Sequence, residues 1–204
     1  MNNLYITPKC LAEAEINEKR SRFIATVKSV HSEQEALDFI KEVKKKYYDA
    51  KHNVYAYITE DIKRYNDDGE PSKTGGFPVL EMLDAQNITD VVCVVTRYFG
   101  GVLLGTGGLV RAYTLAAKSA VEKAGLKHLN LHDELKFITP YHLFDTLKHL
   151  AGKYECEFIE CDYSDVVTIS SACISEKTDE LISAVSGTFG PGNITVIKGN
   201  KIYR

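Results

Sequence analysis

The stretch from Arg97 to Tyr113 constrains this chain more than any other. Five of its 14 glycines, Gly100, Gly101, Gly105, Gly107 and Gly108, fall within nine residues. The apolar run Val91-Val92-Cys93-Val94-Val95 precedes them, and the Ala-rich segment 109–124 follows. This order predicts a strand, a glycine loop and a helix. Glycine tolerates positive φ and close backbone approach, and the first turn of a helix offers unpaired N–H groups at the positive end of its dipole. The glycines therefore serve either a tight strand-to-helix turn or a cradle for phosphate, with Arg97 and Arg111 as flanking cations. A P-loop is ruled out because no Lys-Ser/Thr pair follows the glycines, and the dinucleotide fingerprint lacks its later glycine.

At 204 residues the chain suits two domains. With 44% hydrophobic and 26% charged residues it has the composition of an ordinary globular protein. No apolar run approaches the roughly 20 residues needed to span a bilayer, and the start Met1-Asn2-Asn3-Leu4-Tyr5 lacks the pattern of a signal peptide. The expectation is a cytoplasmic protein with no membrane partner. Five cysteines without a C-x-x-C pair predict reduced thiols rather than a disulfide framework or a zinc knuckle. Residues 1–132 carry 18 basic and 17 acidic residues, whereas 133–204 carry 7 and 11. Neither part is a strongly basic nucleic-acid binder by net charge, so any contact with RNA needs a local patch.

Strand character in Phe23–Val30 has Phe23, Ala25 and Val27 on one face. A helix follows from the capping box Ser32-x-x-Glu35, with Lys41 and Lys44–Lys46 on its outer side as a solvated face or a phosphate patch. Lys51–Ile58 predicts a strand, residues 64–78 a long polar loop, and Val79–Gln86 a short helix. Helix 109–124 turns Leu109, Tyr113, Ala116, Ala117, Ala120 and Ala124 inward and ends at Gly125. Residues 127–133 predict a polar connection between domains. Beyond it strand, helix, strand, strand, helix, strand is the split βαβ, ferredoxin-like order. The domains are thus 1–132 and 133–204, in an α+β chain.

Several polar groups are candidates for chemistry. Asp67, Asp68 and Glu70 form either a solvated turn around Gly69 or an acidic site able to hold Mg²⁺, with Lys73 close in sequence. His52, at the start of an aromatic strand, is either a hydrogen-bonded structural residue or a base. Tyr98 and Phe99 are either core plugs or a platform on which a nucleic-acid base stacks.

The first part resembles the IMPACT family, in its bacterial YigZ-like branch. The resemblance rests on Lys19-Arg20-Ser21-Arg22-Phe23-Ile24, Ala50-Lys51-His52 through Ala56-Tyr57, Asp67-Asp68-Gly69-Glu70-Pro71-Ser72 with Gly76-x-Pro78, and Arg97-Tyr98-Phe99-Gly100-Gly101 through Arg111-Ala112-Tyr113. It implies a first domain of the kind found as domain IV of elongation factor G, a βαβ sandwich. The second is implied to be similar to that factor's domain V. The function implied is non-catalytic binding to RNA, the ribosome or a translation-related protein, in the regulation of translation, with no cofactor. Arg97, Gly100, Gly101, Gly105, Gly107, Gly108, Arg111 and Lys73 would contact phosphate. One alternative is an enzyme acting on a phosphorylated or nucleotide-like small molecule, which would use Mg²⁺ at the acidic loop. Another is a protein-interaction module working through the acidic second domain.

Overall fold

The computed structural model describes residues 4–59 and 62–204. The first three residues, part of the start read for a signal segment, lie outside them. Among the described residues, five helices and two five-stranded sheets make a mixed α+β chain. The described residues divide into two units, one within Ile6–His128 and one of Leu129–Arg204 with Leu4 and Tyr5. No described helix is long and apolar enough to cross a membrane.

In the first unit β2 (Ala12–Glu18), β3 (Ser21–Ser29), β6 (Val91–Tyr98), β4 (His52–Ile58) and β5 (Lys63–Asn66) form a sheet in that spatial order. Every neighbouring pair in it is antiparallel. Helix α1 (Glu33–Lys46) covers one face, where Val92, Val94 and Tyr57 meet Ala36, Phe39, Ile40 and Val43. Helices α2 (Gly76–Ala85) and α3 (Thr106–Ala124) cover the other, where Phe23, Ala25, Val27, Val91, Cys93 and Val95 are buried. Burial on both faces is why the valine run lacks polar alternation. The small residues of α3 let its backbone approach the sheet, and Tyr113 sets its ring edge-on to Phe23 at 5.0 Å.

Local signals in the sequence account for several boundaries. Ser32 accepts the Glu35 N–H at 3.2 Å, while the Glu35 carboxylate accepts from the His31 N–H at 2.8 Å, so the expected capping box is displaced by one residue on its return bond. Helix α2 starts at Gly76 rather than Val79, and α3 at Thr106 rather than Leu109, placing Gly107 and Gly108 inside the first turn. Part of the expected polar loop is β5, an exposed edge strand held by pairing with β4.

The second unit runs through β7 (Leu126–Thr139), α4 (Tyr141–Lys153), β8 (Cys156–Tyr163), β9 (Val167–Ile174), α5 (Ser175–Phe189) and β10 (Thr195–Tyr203). The spatial order β10-β7-β9-β8, all antiparallel, is that of a split βαβ fold. Strand β1 (Leu4–Pro8) neighbours β7 in the same sheet. The expected polar connection at 127–133 is instead continuous strand, because residues 131–133 pair with β10 and residues 132–133 with β9. Polar composition there marks surface strand rather than loop.

Candidate functional site

Most glycines of the 100–108 segment have a conformational or packing reason. A Cβ on Gly100 would overlap the Arg20 carbonyl group, and the Gly100 N–H donates to Ser21 Oγ at 3.1 Å. Gly101 and Gly105 have φ of +83° and +71°, in the left-handed region. A Cβ on Gly108 would meet the Leu104 Cβ at 3.0 Å. Gly107 differs: its backbone needs no positive φ, and a Cβ there would meet Arg111 Nη1 at an ordinary 3.6 Å. Its bare Cα leaves the first turn of α3 uncovered, and no side chain caps that turn from Gly105.

Beside this turn lies the β2–β3 hairpin, whose two central residues, Lys19 and Arg20, have φ of 45° and 69°. A two-residue hairpin favours such angles but normally fills them with Asn-Gly. Each non-glycine residue there costs about 1 kcal/mol. The turn presents two cations, both exposed, and Gly100 packs directly on its backbone. Asn17, Glu18, Lys19, Leu104, Gly108 and Arg111 help line an open pocket of about 240 Å³ between hairpin and helix. Lys19, Arg20 and Arg111 have no ion-pair partner among the described residues, whereas Glu18 adds one carboxylate to the same rim. Leu103, 83% exposed, stands on the loop with exposed Phe99 and Val102.

Arg97 occupies a different environment from the one expected. It continues the face of β6 that buries Val91, Cys93 and Val95, and its register neighbours are Phe23 on β3 and His52 on β4. Its guanidinium carbon lies 5.5 Å from the ring centres of both Phe23 and Phe99. Nη1 donates to Glu70 Oε1 at 2.6 Å, with the two side chains 7% and 4% exposed. The Tyr113 hydroxyl donates to the same oxygen at 2.7 Å, and burial beside that carboxylate pushes the phenol pKa up. Arg97 therefore does not offer its guanidinium to phosphate in solvent. It joins the acidic loop to β6 and α3, the strand and helix that flank the glycine loop.

The other acidic residues are also engaged. Asp67 accepts the N–H groups of Lys73, Gly75 and Gly76 at 2.8, 3.0 and 2.8 Å, organising the entry to α2. Asp68 accepts from the Asn53 N–H and Lys44 Nζ, both at 2.7 Å. Its carbonyl accepts from His52 Nδ1 at 2.8 Å, which fixes the proton on that nitrogen and turns Nε2 toward Glu70, 3.9 Å away. The carboxylates of Asp67, Asp68 and Glu70 thus take different hydrogen-bond donors, and no metal-holding cluster forms among the described residues. Lys73 sits at φ 61°, and its ammonium lies 5.3 Å from the Phe77 ring centre. The Tyr98 hydroxyl donates to Asp49 at 2.7 Å, which raises its pKa to about 12, and Arg22 lies over its ring at 5.5 Å.

The structure places Gly108 and Arg111 on the pocket rim, Gly105 and Gly107 at the adjoining start of α3, and Arg97, Glu70 and His52 in an interior cluster. Lys19 joins that rim, with Arg20 next to it in the hairpin turn, without having been expected there, although both lie in a segment that carries the family resemblance. The signal for them was two adjacent cations bounded by strand-like segments, at the position of a hairpin turn.

Residues 19–121 match the family model described as the Impact N-terminal domain. The chain is 46% identical over 134 residues to IMPACT family member YvyE of Bacillus subtilis, spanning 64% of this chain but only 59% of that protein. It is 30% identical over 184 residues to IMPACT family member YigZ of Escherichia coli, spanning 88% of this chain and 90% of that one. A crystal structure of a hypothetical protein aligns with a TM-score of 0.60 and 27% identity over 97% of this chain and 98% of the other. The family model takes in half of the sequence and the YigZ match runs through nearly all of it, so the chain belongs to the IMPACT family.

Proposed function

We propose that the protein is a non-catalytic, translation-related regulator that binds RNA, on its own or in the ribosome, through the Lys19-Arg20 turn, Arg111 and the first turn of α3. The observation that carries this reading is the placement of Lys19 and Arg111, both free of ion pairs among the described residues, on the rim of an open pocket beside an uncapped helix start kept bare by Gly107. Arg20 adds a third cation from the same turn as Lys19. Such a surface suits phosphate, because backbone N–H groups and cations act on the same anion. Family membership supports the translation-related part. The interior carboxylate Glu70 is committed to Arg97 and Tyr113, an arrangement suited to positioning the loop rather than to transferring protons with a substrate.

RNA binding measured against salt concentration tests this function. Arg111→Ala and Lys19→Ala should each weaken binding and reduce the logarithmic salt slope by about 0.7 to 0.9 for every phosphate no longer neutralised. Absence of binding by the wild-type protein, or an unchanged slope in both variants, overturns the proposal.

A further inference from the structure

Cys156 and Cys173 occupy directly opposed positions in the antiparallel pair β8–β9. Opposed residues of such a pair have Cα atoms about 4.5 or 5.5 Å apart and side chains on the same face. Either separation lies within the range of about 4.4 to 6.8 Å found for disulfides. Both side chains point into the core under α4 and α5, and both cysteines are free thiols. Cys161 is five residues further along β8 and opposes Ile169, so the register singles out one pair.

We propose that Cys156 and Cys173 form a reversible disulfide whose oxidant is a hydroperoxide. The other groups around Cys173 are the Tyr154 carbonyl, which accepts from its Sγ at 3.7 Å, Asp133, its register partner on β7, and Thr178 and Lys177 from α5. The adjacent Cys156 thiol and the Thr178 hydroxyl lower the Cys173 pKa, against burial and the Asp133 charge. Either sulfur gives the same disulfide by attacking first, and Cys173 serves here as the first nucleophile. Its thiolate attacks the peroxide O–O bond, an S–O bond forms, and the released oxygen leaves as hydroxide or alkoxide and takes up a proton. The Cys156 sulfur then attacks the sulfenic sulfur. The S–S bond forms, the S–O bond breaks, and the departing hydroxyl leaves as water with the Cys156 proton. Two thiols are oxidised and one peroxide is reduced. Cys156 is the first residue of β8, the edge strand of its sheet, where local fraying can admit a small oxidant to an otherwise buried pair.

The test treats the folded, reduced full-length protein with hydrogen peroxide, traps remaining thiols by alkylation during denaturation, and digests it with a protease that cleaves after both glutamate and aspartate. Cuts after Glu157 and Asp165 put Cys156, Cys161 and Cys173 in separate peptides. The expected product is a Cys156–Cys173 peptide pair lighter by two hydrogens and released by dithiothreitol, while Cys161 stays alkylated. The proposal is overturned if both core thiols are alkylated under conditions that fully oxidise exposed Cys10. It is equally overturned if the linked pair includes Cys161 or Cys10.

Discussion

Two arginines bracket one glycine-rich stretch, and the fold gives them opposite work. Arg97 lies on the inward face of a central strand, between two aromatic rings, with Glu70 at 2.6 Å. Arg111 lies on the exposed side of α3, on a pocket rim, without an ion-pair partner among the described residues. The same side chain is a joint in one place and an available charge in the other. Burial decides which. A desolvated guanidinium must be paired to be tolerated, whereas an exposed one keeps its hydration and exchanges it for phosphate at little cost.

Arg97→Met should have the largest effect. Removing one partner of a buried ion pair leaves the other uncompensated, so stability should fall by about 3 to 5 kcal/mol, measured by urea denaturation. Where the variant remains folded, its RNA salt slope should match wild type, because Arg97 touches no phosphate in the proposed mode; a reduced slope would erase the contrast between the two arginines. Tyr113→Phe removes one donor from Glu70 without changing the packed ring. It should cost about 1.5 to 3 kcal/mol by the same measurement and likewise leave the slope unchanged.

Arg111→Ala should do the reverse, with stability within about 0.5 kcal/mol of wild type and RNA affinity lowered at least several-fold in a direct binding titration. Gly107→Ala is the finest probe. Space exists for the methyl group, and alanine is the better helix former, so stability should hold or rise by up to about 0.5 kcal/mol. Binding should weaken because the methyl group partly covers the first turn. A Gly107→Ala protein that binds RNA as wild type does would show that the bare turn is not used.

Much of this is legible in residue order. The parity of Val91, Cys93 and Val95 already places Arg97 on the same strand face, so its burial follows once that face is known to be the core. The inward set on α3 from Leu109 to Ala124 follows from helical spacing. Strand β5 is not legible, because its four exposed residues owe their conformation to pairing with β4 rather than to an apolar pattern. Nor is the continuity of β7 through 127–133, where partners on two sides satisfy a backbone whose side chains read as loop.

Residue order is enough to give most of the elements, their succession, the family resemblance and the identity of the charged residues near the glycines. Periodicity, capping and turn chemistry act within a few residues, so they can be read along the chain. Which charges are free emerges only in the folded molecule. Glu70 reaches Arg97 and Tyr113 across separations of 27 and 43 residues, and Gly100 meets the Lys19-Arg20 turn from the far end of an adjacent strand. Pairing and desolvation depend on what folding brings within a few ångströms, and no local pattern encodes that distance.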